Sequence, residues 1–485
     1  MALTVEQEPS ASYLHGAYET IIYVLADTDS GEEKFRYIAD LYVGGYIVAR
    51  VKVFPNAEDA GIIRVDKLIA DYMSSTMADQ GPGSGGVFTN PIHRLGANST
   101  TSVWSHNNGE TTRRIEMRFG HEYATSATTD PTVTTDIITG KYVSCLMTAG
   151  MRRATTWDMG ALFLGAVGWL ASYVPTSFSR KALTDRQRTG QYTANLAPMV
   201  SVVNANVTNF EWRTLAVVND GINFSADAES AYVALFDSSD VQLDAGHIIC
   251  TSGGTLPSAA NTDDERLQFF GCGPRNLTAQ TIDASFATHF NAGTVAYYEV
   301  YFMASISFVP SDVNVAHIKS VCYRFTIVNA DCRYHATNGS NKYNEISLAW
   351  VNSFGTWDYQ SFTKKHERST GNIERKTYDQ VSGNWDTVSA SVNFDFRGGE
   401  GGLRISKLDA RQKVTANTDI YDEEDLDVLE SLMLSPRVVM LDYDGVATPI
   451  VVTDTNWVRK KNVNEQGPFT YQVQFKYAKK RPTIK

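Results

Sequence analysis

At 485 residues and 53.6 kDa the chain is long for one domain, and about 100 to 200 residues per domain suggests roughly three. With 43% hydrophobic and 20% charged residues it can fill several cores and lacks the composition of disorder. A formal charge of -11 disfavours long-range attraction to nucleic acid or anionic lipid, so neither a specific nucleic-acid partner nor a membrane is expected.

No apolar run approaches the roughly 18 residues of a membrane helix. The start, MALTVEQEPSASYLHG, places Glu6 and Glu8 where a signal peptide has a basic region and an apolar core, so synthesis in the cytoplasm without an export signal is expected. Cys145, Cys250, Cys272, Cys322 and Cys332 form no C-x-x-C pair and predict buried reduced thiols rather than a disulfide framework.

High aromatic content and short β-branched runs separated by Asn, Asp, Gly and Ser predict a mostly β protein. Residues 18–25 and 35–54 read as strands, with Gly44-Gly45 as a two-residue hairpin turn. Ala49, Val51 and Val53 alternate with Val48, Arg50, Lys52 and Phe54, which puts one face on a core. Residues 66–73 fit a short helix, the GPGSGG stretch at 81–86 a mobile loop, and residues 113–123 a further strand.

The segment MRRATTWDMGALFLGAVGWLASYV, residues 151–174, is the least β-like and is apolar nearly all round. Its charge-free part, residues 159–174, is too short to span a bilayer, and the segment has three readings: an internal core helix, an arm buried against a neighbouring subunit, or a membrane contact. Strand-like runs between 202 and 336, with turn signals every 10 to 20 residues or so, suit an antiparallel sandwich of immunoglobulin-like or jelly-roll type. Residues 297–309 should form a central strand, with Tyr298, Val300 and Phe302 pointing one way. Residues 346–363 read as strands, and 422–433 as a helix with an acidic start and a Leu426, Leu429, Leu432, Met433 stripe. A hairpin turning near Asp444-Gly445 and a last strand at 471–477 lead into a basic tail. The expected organisation is an N-terminal β domain (11–145), a helical or extended arm (146–200), a central sandwich (201–336) and a C-terminal β domain (337–485).

The search for chemistry finds no GxxxxGK[ST], strand-borne GxGxxG, GxSxG or HExxH, and so predicts no cofactor, no metal and no catalytic residue. The nine histidines are scattered singly, and Cys332 with His335 is a weak ligand pair. Asp442-Tyr443-Asp444-Gly445 opens like a calcium loop but does not continue as one. Trp104, Trp357 and Trp385 are candidates for stacking on sugar rings.

Three segments resemble structural proteins of tailed bacteriophages. FRYIADLYVGGYIVARVKVFPN followed by GIIRVDKLIADYM is similar to an N-terminal module of such proteins. WVNSFGTWDYQSFT resembles the aromatic strand pair of tail, neck and baseplate components. The run from Leu426 through SPRVVMLDYDGVATPIVVTD to FTYQVQFKYAK resembles their closing helix, hairpin and strand. Together they cover about a third of the chain, at its two ends.

The resemblance implies a non-enzymatic virion subunit of the neck, tail or baseplate. Its partners would be copies of itself in a ring and other virion proteins. A receptor- or glycan-binding surface protein, a head-decoration or minor capsid protein, and a polysaccharide-degrading enzyme are the alternatives. Candidate subunit contacts are the loop at 81–98, Trp157, Phe163, Leu164 and Trp169 of the apolar segment, and Lys479, Lys480 and Arg481 of the tail.

Overall fold

The computed structural model describes residues 3–9, 14–17, 20–75, 78–79, 90–95, 105–107, 111–146, 189–190, 202–207, 211–218, 230–249, 267–279, 284–303, 322–327, 346–352, 355–380, 384–386, 393–395, 402–420, 425–442, 445–454 and 469–478. It is mainly β, with several largely antiparallel sheets and a few short helices, as the composition predicts. The segment 151–174, the tail from 479 onward, Cys250, Cys332 and Trp104 lie outside the described residues. Among the described residues no helix is long and apolar enough to cross a membrane.

The N-terminal unit contains β1 (Thr4–Gln7), β2 (Leu14–Gly16), β3 (Ile22–Ala26), β4 (Glu33–Val43), β5 (Tyr46–Val53), β6 (Ala60–Arg64) and α1 (Asp66–Ala70). It continues through the two-residue strands β7 (Ala78–Asp79) and β8 (Asn90–Pro91), a 3₁₀ turn (Ile92–Arg94), β9 (Ser105–Asn107), β10 (Thr112–Ala124) and β11 (Thr132–Leu146). One sheet runs β1-β3-β6 and the other β2-β11-β10-β4-β5. Tyr23 and Leu25 of the first meet Tyr37, Leu41, Ile115, Met117 and Phe119 of the second in one core. Each fully buried aliphatic or aromatic side chain contributes about 1.5 to 3 kcal/mol. Gly44 and Gly45 both have positive φ, as the tight β4–β5 hairpin requires. Ala49, Val51 and Val53 pack onto the core, as their alternation predicts, and so does Val48.

The central unit holds β12 (Thr189–Gly190), β13 (Val202–Val207), β14 (Thr214–Val218), β15 (Ser230–Phe236), β16 (Gln242–Ile249), β17 (Leu267–Gly271), α2 (Pro274–Ala279), α3 (Ala284–Ala292), β18 (Tyr297–Met303) and β19 (Cys322–Ile327). A six-stranded sheet, β12-β13-β19-β18-β15-β16, packs against α2, α3 and a small sheet, β14-β17-β9. Every residue of β18 is buried, because both faces of this inner strand are covered. One departure from a purely antiparallel sandwich is β13, which runs parallel to β19.

The small sheet also draws β9 out of the N-terminal segment to pair with β17. His93 and Leu95 are buried beside it, so this part of the 81–98 loop is folded inward and is not a free contact for a neighbour.

The C-terminal unit comprises β20 (Ile346–Val351), β21 (Trp357–Phe362), β22 (Glu367–Gln380), β23 (Asn384–Asp386), β24 (Asn393–Asp395), β25 (Gly402–Ile420), α4 (Asp425–Leu434), β26 (Val438–Leu441), β27 (Ala447–Val452) and β28 (Phe469–Tyr477). Its seven-stranded sheet has the order β21-β20-β26-β27-β28-β25-β22. The expected stripe of α4 covers that sheet: Leu429 and Leu432 meet Trp350, Val473 and Phe475. Trp350 Nε1 donates to Ser431 Oγ on the helix at 2.8 Å. The turn at Gly445 has the positive φ expected of the hairpin, and Asp442 accepts from the Val446 amide at 2.8 Å as a turn residue. Among the described residues, Cys145, Cys272 and Cys322 are buried and form no disulfide, and burial pushes the Cys272 thiol up to about 12.

Candidate functional site

Two regions distinguish this fold: a buried polar junction joining its three units, and a β-ribbon that leaves the C-terminal sheet.

The junction is built on Glu211-Trp212-Arg213, which precede β14. Residues two apart on extended chain face the same way, so the Glu211 and Arg213 side chains meet. They form an ion pair with side-chain exposures of 1% and 2%. Arg213 Nε donates to Glu211 Oε1 at 3.0 Å, and Nη2 also donates to the Tyr359 carbonyl on β21 at 3.1 Å. The Ser361 hydroxyl donates to Glu211 Oε2 at 3.1 Å. Burial is the largest single influence and opposes the Arg213 charge, but the Glu211 carboxylate, with Tyr298 and Cys272 beside it, raises the pKa of the guanidinium overall.

Asn276 of α2 ties the third unit in. Its Oδ1 accepts from the Arg213 amide at 2.9 Å, and its Nδ2 donates to the carbonyls of His93 and Leu95 at 2.9 and 2.8 Å. His93 Nδ1 lies 2.8 Å from the Tyr359 hydroxyl, which is 2.7 Å from the Thr214 hydroxyl. Trp357 meets the His93 ring edge-on at 4.8 Å between centroids. Burial, with the Arg437 charge nearby, lowers the His93 pKa to about 3, so the ring is neutral at ordinary pH. Gly273 lets the backbone close in. A Cβ there would run into the Arg213 nitrogen and lie 2.7 Å from the Glu211 carbonyl oxygen.

The ribbon is the outer part of β22 and β25. From Lys413 to Ile420, β25 pairs with β28, but from Gly402 to Arg411 it pairs only with β22. Among the described residues, no strand pairs with the outer edge of β22. This bare stretch of about ten residue pairs is about 33 Å long. The small β23–β24 hairpin falls within the segment that joins its two strands. Residues 375–379 and 402–405 are exposed on both faces. Leu403 (75% exposed) and Ile405 (54%) share one face with Asp379 and Thr377, while Tyr378 (47%) and Arg404 share the other.

The sequence-predicted sites fare differently. Trp357 is 3% exposed and packs on His93, so it is an internal residue and not a sugar platform. Trp385 sits on β23, but its side chain lies outside the description, as does Trp104. Trp157, Phe163, Leu164, Trp169, Lys479, Lys480 and Arg481 also lie outside the described residues. Sequence reasoning missed Glu211 and Arg213, although an oppositely charged pair two residues apart inside an apolar run was a usable signal.

Comparison with models of protein families finds no match, and comparison with curated proteins finds none either.

Proposed function

We propose that the chain is a non-enzymatic structural subunit of a tailed-phage neck, tail or baseplate, assembling with copies of itself and with other virion proteins. The observation that carries this reading is the bare ribbon formed by β22 and β25. A two-stranded ribbon with solvent on both faces has no core of its own and is marginal in water. Leu403, Ile405 and Tyr378 lie open on it, where a neighbouring subunit would cover them. The buried junction supports the same reading, because it holds the three units as one body through which load can pass between neighbours. The phage class itself rests on the resemblance of the terminal segments.

The test is the mass and symmetry of the purified protein, by light scattering and negative-stain microscopy, beside a Leu403→Asp, Ile405→Asp double variant. Closed oligomers for the parent chain and monomers of unchanged melting temperature for the variant are expected. A variant that assembles like the parent removes the ribbon from the assembly. A compact trimer that binds cells or glycans replaces this reading with the receptor-binding one.

A further inference from the structure

The turn between β3 and β4 begins Asp27-Thr28-Asp29-Ser30-Gly31, and His121 of β10 stands over it. The Asp27 carboxylate and the His121 ring are shut off from solvent, with side-chain exposures of 0% and 4%, and His121 Nδ1 is 2.6 Å from Asp27 Oδ2. Phe35 and Tyr123 hold the ring edge-on at 5.8 and 5.4 Å between centroids. Asp27 Oδ1 accepts from the Asp29 amide at 3.0 Å, which curls the turn and brings the second carboxylate back toward the first. One donor atom from each of Asp27, Asp29 and His121 lies within 4.8 Å of the other two. Asp29 Oδ2 is itself shielded from solvent and receives no hydrogen bond.

Charge makes this cluster unusual. Among the described residues, neither carboxylate is paired with a lysine or arginine. The basic side chains on the flanking strands are engaged elsewhere: Arg36 and Lys52 with Glu122, and Lys34 with the Thr129 carbonyl. Two carboxylates therefore share a small, largely dry space with one imidazole, and one carboxylate oxygen has nothing to bond. Burying such groups is unfavourable unless a cation compensates them.

We propose that Asp27, Asp29 and His121 bind one divalent transition-metal ion, of which zinc is the best-suited example. One imidazole nitrogen and two carboxylate oxygens match the donor preferences and low coordination number of Zn²⁺, with water completing the shell. Ca²⁺ takes six to eight oxygen donors and Mg²⁺ demands octahedral oxygen coordination, so both fit a three-donor set containing nitrogen less well. Asp29 is only partly buried and gives the ion its way in. The bound ion would clamp the β3–β4 turn to β10 and so tie the two sheets of the N-terminal unit together.

The experiment uses the full chain, stripped with chelator and dialysed against micromolar ZnCl₂, with the retained metal counted and the melting temperature recorded. The parent chain should retain one more Zn²⁺ per chain than Asp29→Asn or His121→Gln, and its melting temperature should rise by several degrees with zinc. Asp29→Asn is the decisive variant, because the hydrogen bond that forms the turn uses the Asp29 backbone amide. Co²⁺ bound in place of zinc should give visible absorption bands that Asp29→Asn abolishes. Equal zinc retention and equal stabilisation in the parent and Asp29→Asn overturn the proposal. A melting-temperature rise with MgCl₂ or CaCl₂ and none with zinc also overturns it.

Discussion

The junction and the ribbon place polar and apolar groups in opposite ways. At the junction, full charges are taken out of water where three units meet, and both the Glu211 carboxylate and the Arg213 guanidinium have hydrogen-bond partners there. On the ribbon, apolar side chains are held in water on a strand pair with no core beneath it. A buried, satisfied polar network fixes one geometry, because any shift leaves a charge unpaired. An exposed apolar strip fixes nothing by itself and gains order only from whatever covers it. The contrast suits a part that keeps its own shape and adheres to neighbours at its periphery.

The contrast breaks most sharply at Arg213. Arg213→Ala leaves the Glu211 carboxylate buried without its cation and should lower stability by about 3 to 5 kcal/mol, read from the denaturant midpoint. Replacing Glu211 and Arg213 together with apolar residues of similar volume should recover most of that loss, which separates the need for pairing from the need for charge.

Gly273→Ala comes next. Its new Cβ meets backbone atoms of residues 211 and 213 that cannot swing aside, and about 3 kcal/mol should be lost by the same measurement.

His93 sets the pH dependence. Its folded pKa, about 3, lies below the ordinary histidine value of 6.5 because the ring is buried. The unfolded chain therefore takes up the proton first as pH falls, and stability drops below pH 6.5 until the folded ring titrates as well. At pH 5 this group should cost about 2 kcal/mol, and His93→Gln should remove that share of the acid loss. Unfolding curves for both proteins at pH 7 and pH 5 check the sign.

The smallest effect on stability belongs to the ribbon. Leu403→Asp with Ile405→Asp should change stability by no more than about 0.5 kcal/mol while abolishing assembly. Size-exclusion chromatography of the intact chain reads the second effect.

Where a segment has one buried face, its alternation or helical stripe showed in the sequence. The Gly44-Gly45 hairpin, the 113–123 strand and the Leu429, Leu432 and Met433 part of the helical stripe all fall where the sequence pattern puts them. The ribbon escaped because its described residues 375–379 and 402–405 are wet on both faces, and ERSTGNIERKTYDQ contains no apolar period to read. The junction escaped for another reason. His93, Glu211, Asn276 and Tyr359 are scattered over more than half the chain, and only tertiary folding brings them together. The Trp357 expectation failed because a tryptophan beside a turn gives no sign of which face it occupies, and here it faces inward.

The parallel pairing of β13 with β19 bears on how the protein is made. Val202 pairs with Cys322, and at 5 to 20 residues per second the ribosome needs on the order of 6 to 24 s to supply the later strand. Through that interval the Val202–Val207 strand has left the ribosome without its principal neighbour, an open edge suited to misplaced pairing between nascent chains. The yield of soluble protein should therefore depend on how crowded such chains are, and should improve when expression is slowed or diluted.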